Sequence, residues 1–196
     1  MRITNYELME IFETAAENFL RYEYELVQMK CNERTLCSQL SHYIRQEMEG
    51  NTFFNNTDYH CDIEYSRNCA NPTKDYKAKK MLNNSGTNFY ADIIIHSRGK
   101  YKVDENLNNL DNILVIEAKY DSNPGNDIFR LSTLTEPFSL SNNRLIDGLP
   151  EYVCGYDLGV QLIFYPKDVS LVITYWKENQ NVRERIIKHN LIGNTI

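Results

Sequence analysis

Two carboxylates and one lysine, Asp92, Glu117 and Lys119, have the residue types and spacing of a chemical site. Glu117 and Lys119 lie two positions apart at the end of the apolar stretch NILVIEAKY, and strand residues two apart point to the same face. Asp92 precedes three isoleucines in the stretch FYADIIIHS. If the two stretches are neighbouring strands of one sheet, they bring these three side chains together at strand ends.

These residue types suit the hydrolysis of a phosphodiester bond. Mg2+ takes oxygen ligands, usually one or two carboxylates with waters, so Asp92 and Glu117 are candidate metal ligands. The backbone carbonyl of Ala118 is a candidate third oxygen. A lysine nearby can hold the attacking water and offset the negative charge that develops at phosphorus. The pattern therefore indicates a hydrolytic site in which Lys119 supplies a positive charge beside the metal ion.

Each of these residues also has a simpler interpretation. An acid and a lysine at a strand end usually form an exposed salt bridge that contributes little to stability. Glu117 and Lys119 alone favour that interpretation, whereas their combination with Asp92 in an apolar strand favours catalysis. His96 shares a predicted strand face with Asp92 and is a candidate general base, although a histidine at a strand end is more often structural.

The residues before these strands predict helices. Apolar residues recur every three or four positions from Asn5 to about Lys30, which indicates one long amphipathic helix or two short ones. Asn32 is a predicted N-cap for a further helix that ends at Gly50. Glu33 lies in the first turn of that helix, on its inward side, although the helix macrodipole favours an acid there in any protein.

The remaining pattern predicts a mixed sheet. YHCDIEYS alternates weakly as a strand, IFRLSTLTEPF has helical spacing, and LGVQLIFY and VSLVITYW flank a short turn as a strand pair. The tail NVRERIIKHN has no assigned structure. We predict an α/β fold in which helices flank a mixed β-sheet core. The chain of 196 residues has the length of one domain, with N-terminal helices in residues 1–50 and the core in residues 58–165.

The composition and charge argue against several classes of protein. The net charge of -6 argues against a protein that coats nucleic acid, because phosphate binding relies on clustered Lys and Arg. One basic cluster, KDYKAKK, contains Lys77 and is either a solvated segment or a phosphate contact beside the site. The five cysteines form no CxxC pair, which indicates reduced thiols. No stretch has the apolar length of a membrane helix and the N-terminus does not resemble a signal peptide, so we expect a cytoplasmic protein.

Asp92 followed by Glu117-Ala118-Lys119 resembles the PD-(D/E)XK nuclease superfamily, and the likeness covers roughly residues 32–162. The resemblance implies a restriction-endonuclease-like fold, with Asp92 and Glu117 binding Mg2+ and Lys119 assisting the attacking water. Many members place a glutamate on the preceding helix, in the inner or outer shell of the metal, and the resemblance implies this position for Glu33.

The chain is also similar to compact bacterial members of the superfamily that have no settled role. This likeness implies that Glu64 and Tyr65 border the site and that Arg130 faces phosphate. Two departures stand out. Ala91 replaces the usual proline before the aspartate, and the long gap before Glu117 indicates an inserted loop across residues 98–111.

Two functions remain open. The first is a nuclease dependent on Mg2+, or on Mn2+ as a substitute, with DNA as the favoured substrate and RNA as the second candidate. The second is a catalytically degenerate nuclease fold that acts as a binding module in a defence or toxin complex, which the acidic charge favours. Small endonucleases are often dimers because two sites can address two strands, so a homodimer is one expected arrangement; the sequence does not indicate an interface.

Overall fold

The computed structural model describes residues 2–65, 81–82, 87–88, 90–121, 125–141, 144–146, 148–178 and 180–189. Its helices are α1 Asn5–Tyr22, α2 Tyr24–Gln28, α3 Glu33–Gly50, α4 Thr52–Asn55 and α5 Gly125–Leu134. Its strands are β1 His60–Ile63, β2 Met81–Leu82, β3 Thr87–Asn88, β4 Ile93–His96, β5 Asn112–Tyr120, β6 Leu145–Ile146, β7 Leu149–Pro150, β8 Leu158–Tyr165, β9 Ser170–Lys177 and β10 Gln180–Lys188.

Side-chain caps and apolar spacing explain the two long helices. Thr4 and Glu7 form a capping box at the start of α1, because each side chain accepts a hydrogen bond from the other residue's backbone N–H. The Asn32 side chain accepts a hydrogen bond from the Thr35 N–H at 2.9 Å, which confirms the predicted N-cap of α3. None of the described helices is long and apolar enough to cross a membrane.

Six strands form one mixed sheet in the order β1-β4-β5-β8-β9-β10. Neighbouring strands run antiparallel except β5 and β8, which run parallel. Parallel neighbours require a crossover connection, and α5 lies in the segment that joins these two strands. The predicted α/β fold is therefore confirmed at the level of a mixed six-stranded sheet flanked by helices, with further helices at the N-terminus.

Helices cover both faces of this sheet. The buried residues of α1 and α3 join one apolar cluster with β4, β5, β8 and β9, whereas Leu131 and Leu134 of α5 pack against Ile94 and Val115 on the opposite face. Residues 112–118 of β5 are consequently buried, and Lys119 and Tyr120 at its end are half-buried. Burial on both faces explains why residues 113–116, ILVI, form a continuous apolar run.

The sheet extends beyond the predicted core of residues 58–165, because β9 and β10 continue it to Lys188. β10 pairs with β9 and lies at the edge of the sheet. Ile187 is its one buried residue, so the strand lacks the apolar alternation that the sequence prediction depends on. An edge strand tolerates this composition because water can satisfy its outer backbone groups.

Candidate active site

The register between β4 and β5 brings the two predicted carboxylates together. The strands run antiparallel, and Ile93 pairs with Ile116. Asp92 immediately precedes β4, so one further step of this register sets it opposite Glu117. The start of β4 therefore meets the end of β5, and the antiparallel pairing accounts for the convergence of two residues that are distant in sequence.

Two carboxylates accept hydrogen bonds from backbone N–H groups of β5 that lie beyond its last residue pair with β4. Asp92 Oδ2 accepts a hydrogen bond from the Ala118 N–H at 2.7 Å, and Glu33 Oε1 accepts one from the Tyr120 N–H at 3.3 Å. The N–H and C=O of a strand residue point to the same side, so the Ala118 carbonyl also faces the side occupied by Asp92. Glu33, from the first turn of α3, thus joins the strand residues, in agreement with its predicted inward orientation.

Glu117 is the most deeply buried acid of the cluster, with 1 % of its surface exposed. Burial raises its pKa to about 8, and nearby Asp92 acts in the same direction, while the charge of Arg130 opposes the shift. Arg130 Nη2 lies 3.1 Å from Glu117 Oε1, but the pair is not aligned as a hydrogen bond. No described residue forms a hydrogen bond with this oxygen, so Glu117 is a buried carboxylate that is incompletely satisfied.

Lys119 contacts a second carboxylate of the cluster. Its Nζ lies 3.4 Å from Glu33 Oε2, and the Lys119 side chain is about one third exposed. Partial burial disfavours the charged amine, yet the carboxylates of Glu33 and Asp92 raise the pKa of Lys119 overall. Burial also raises the pKa of Asp92, although the Ala118 N–H and the Lys119 charge favour its ionised form. The amine therefore stays protonated at neutral pH and lies among acids.

Helix α5 brings Arg130 to the cluster. Arg130 Nη2 donates a hydrogen bond to the Tyr90 carbonyl at 2.9 Å as well as pairing with Glu117, and Nη1 lies 3.9 Å from Asp127 Oδ1. The sequence resemblance implies that Arg130 faces phosphate; in the structure its guanidinium contacts the Glu117 carboxylate. The positive charge of Arg130, on the side of the sheet covered by α5, therefore partly offsets the cost of burying the Glu117 carboxylate.

Gly159 allows α5 to pack closely on the sheet. A Cβ atom at this position of β8 would lie 2.9 Å from Thr135 Cγ2 and 3.3 Å from Leu131 Cδ2, both closer than ordinary contacts. Leu131 follows Arg130 in α5, so the spacing between α5 and β8 sets the approach of Arg130 to Glu117.

The two predicted border residues have different surroundings. The Glu64 N–H donates to the Asp92 carbonyl at 3.3 Å, and the Glu64 side chain pairs with Arg34 at 3.2 Å, so Glu64 adjoins the site through its backbone. The Tyr65 ring packs edge-on against His96, with 4.3 Å between ring centroids. Lys77 and its basic cluster lie outside the described residues.

His96 belongs to a second polar cluster. Its Nε2 lies 3.0 Å from Asp62 Oδ2, and Arg98 also pairs with the Asp62 carboxylate, at 2.6 Å. These contacts hold the pKa of Asp62 well below its ordinary value even though burial opposes the shift. The register shifts between Ile95 and His96, so simple alternation along the strand does not predict the orientation of His96.

Sequence reasoning missed Gln161, which pairs with Glu117 across β5 and β8. It is 4 % exposed, and no described residue accepts a hydrogen bond from its Nε2. Its signal in the sequence is a single amide within the otherwise apolar strand LGVQLIFY. A lone buried polar residue beside a candidate ligand could have been singled out on that ground.

The donor set fits a small hard cation. The described residues contain no group of three or more His, Cys, Asp or Glu side chains arranged to hold a metal ion. Mg2+ requires only one or two protein carboxylates, and Asp92, Glu117 and the Ala118 carbonyl supply three oxygens of the preferred type. The burial of the Glu117 carboxylate beside Asp92, which raises its pKa to about 8, is the specific feature that a bound cation would offset.

Comparisons of the chain with models of protein families, with curated proteins and with solved structures gave no match.

Proposed function

We propose that this protein is a Mg2+-dependent nuclease of the PD-(D/E)XK type, which hydrolyses phosphodiester bonds in DNA, with RNA as the second candidate substrate. One observation carries the proposal: Asp92, Glu117, Lys119 and Glu33 converge where the start of β4 meets the end of β5. Two carboxylates of this kind can serve as metal ligands, and the lysine places a positive charge beside them.

The burial of Glu117 argues against the simpler interpretation of an exposed salt bridge. A solvated acid and lysine at a strand end would contribute little to stability, and both side chains would keep ordinary pKa values. Glu117 instead is almost fully buried next to a second carboxylate, and burial raises its pKa to about 8. Strongly shifted carboxylates that adjoin further charged groups are typical of functional sites, because they reduce stability in the absence of a ligand.

Each side chain has a distinct role in this proposal. Asp92, Glu117 and the Ala118 carbonyl would hold the divalent cation, which would supply an activated water and charge stabilisation at phosphorus. Lys119 orients the attacking water through its ammonium group and offsets the developing negative charge. Glu33 holds Lys119 through the 3.4 Å pair and fixes the end of β5 through the Tyr120 N–H.

The charge of the chain bears on the substrate class. A net charge of -6 disfavours tight nonspecific binding to nucleic acid, so turnover on a substrate held mainly at the metal site fits better than coating of a long strand. We propose DNA as the partner and a homodimer as the arrangement that would address both strands of a duplex.

The direct test is cleavage by the purified protein and its Lys119→Ala variant. The protein is incubated with supercoiled plasmid, linear duplex, single-stranded DNA and RNA in Mg2+ or Mn2+, with EDTA as a blank. We expect metal-dependent cleavage by the wild type and a loss of at least about 100-fold in Lys119→Ala, as for removal of a charge-stabilising donor. Lys167→Ala, which removes an exposed lysine from the turn after β8, is the matched control and should cleave normally.

Two outcomes would contradict the proposal. One is a wild-type protein that leaves all four substrates intact in both metals; the other is cleavage that survives in Lys119→Ala. If calorimetry also detects no divalent ion binding, the alternative of a degenerate binding module is favoured. Loss of measured Mn2+ binding in Asp92→Ala would count against that alternative.

A further inference from the structure

Gln161 lies directly beside Glu117 in the sheet. The two residues are register partners in the parallel pair β5 and β8, so their side chains leave the same face of adjacent strands. Both are buried, with 4 % of Gln161 and 1 % of Glu117 exposed. Two side chains of equal length therefore share one water-excluded layer of the sheet.

This layer contains a hydrogen-bond donor and an acceptor that are both unused. No described residue accepts a hydrogen bond from Gln161 Nε2, and none donates one to Glu117 Oε1. Buried polar atoms are nearly always hydrogen-bonded, and an unmet donor in an apolar layer lowers stability. An amide at a position where an apolar residue would pack without this cost thus indicates that Gln161 has a hydrogen-bonding role.

The neighbouring charges point to the Glu117 carboxylate as the hydrogen-bond partner of Gln161. Asp92 lies on the β4 side of Glu117 and Gln161 on the β8 side, so the carboxylate lies between another candidate ligand and an amide donor. The Arg130 contact at 3.1 Å is an ion pair without hydrogen-bond alignment, so it does not supply a directional hydrogen bond to the carboxylate. A donated hydrogen bond from the amide would fix the rotation and leave the other oxygen for a cation.

We propose that Gln161 is a positioning residue that donates a hydrogen bond from Nε2 to the Glu117 carboxylate when a divalent cation is bound. This inference rests on the proposed function, because it assigns Glu117 as a metal ligand. It deepens that function by naming the group on β8 that orients the ligand, a role that neither the nuclease resemblance nor the sequence pattern assigned.

The test compares metal affinity with metal-free stability in Gln161→Met, which keeps the side-chain length and removes the donor. Isothermal titration with Mn2+ should give a dissociation constant raised by about 10- to 100-fold, as for loss of a group that orients a ligand. The Tm without metal should be unchanged or higher, because the substitution removes an unmet buried donor. A residue that only fills space would change the two quantities in the same direction.

Thr174→Val is the matched control, since Thr174 is the register partner of Gln161 on β9 and is also buried. It should leave the Mn2+ dissociation constant unchanged. An unchanged dissociation constant in Gln161→Met would overturn the positioning role. An equal weakening of Mn2+ binding in Thr174→Val, or a lower metal-free Tm in Gln161→Met, would assign the effect to packing and also overturn it.

The same titrations separate this inference from the proposed nuclease. If the wild type binds Mn2+ but cleaves no nucleic acid, the nuclease function fails while the result for Gln161 stands. If the wild type cleaves and Gln161→Met binds Mn2+ normally, the inference alone fails. If the wild type binds no divalent ion, the metal site and the role of Gln161 fail together.

Discussion

Asp92 accepts a hydrogen bond from the backbone N–H of Ala118 at 2.7 Å, and this contact joins the two halves of the candidate site. The aspartate replaces the strand partner that β4 does not supply beyond Ile93. One oxygen of the carboxylate therefore stabilises β5, and the other remains for a ligand. The β4–β5 register and this hydrogen bond together place Asp92 beside Glu117.

Substitutions of Asp92 should separate its structural and metal-binding roles. Asp92→Asn keeps an oxygen that can accept from the Ala118 N–H, so its free energy of unfolding should stay near that of the wild type. Asp92→Ala leaves that N–H without its acceptor and should lower the free energy of unfolding by about 1–3 kcal/mol. Both variants should lose Mn2+ affinity. Urea unfolding and calorimetry measure the two effects, and equal stability of the two variants would contradict the backbone role.

The free energy of unfolding should fall with rising pH when no divalent ion is present. Burial raises the pKa of Glu117 from 4.5 to about 8, and the pKa of Asp92 is raised as well. Between about pH 4.5 and 8 the folded chain therefore holds a proton that the unfolded chain has released, which makes folding less favourable as pH rises. Glu117→Gln cannot ionise, so its stability should decline less and should exceed that of the wild type at pH 8. Urea unfolding at pH 5 and pH 8 gives the comparison, and parallel declines in both proteins would refute the assignment.

Glu33 should affect both the end of β5 and the charge of Lys119. Glu33→Gln keeps an oxygen for the Tyr120 N–H, whereas Glu33→Ala removes it and should lower the free energy of unfolding by about 1 kcal/mol. Both variants remove the carboxylate that raises the pKa of Lys119, so that pKa should fall in both. An NMR titration of the Lys119 side chain measures it. Glu49→Gln, an exposed acid at the far end of α3, is the control and should leave the Lys119 titration unchanged.

Gly159→Ala should destabilise the chain by pushing α5 away from β8. The added Cβ would meet Thr135 Cγ2 at 2.9 Å, and overpacking of this kind commonly costs about 1–3 kcal/mol. Thr135→Ser removes that methyl group and keeps the hydroxyl, so the double variant should recover much of the loss. Urea unfolding of the two single variants and the double variant forms a complete cycle. Full additivity would contradict the steric explanation.

Local patterns in the sequence predicted most of the secondary structure. The apolar spacing of α1 and α3, the Asn32 cap and the strand pair β8 and β9 follow from side-chain periodicity and turn residues, which act over a few positions. β10 escaped prediction because Ile187 is its one buried residue, so its sequence has no alternation of apolar and polar positions. The register shift at His96 escaped it because a bulge is set by the partner strand.

The sequence by itself determined which residue types the site can use: acids at positions 92 and 117, a lysine at 119 and an acid in the first turn of α3. Their types and their places at strand and helix ends are local properties of the chain. The tertiary structure decided which groups meet. Antiparallel pairing sets Asp92 opposite Glu117, α3 brings Glu33 to the Tyr120 N–H, and parallel pairing sets Gln161 beside Glu117. Those contacts depend on strand order and register, which the packing of both sheet faces fixes and which no short stretch of sequence contains.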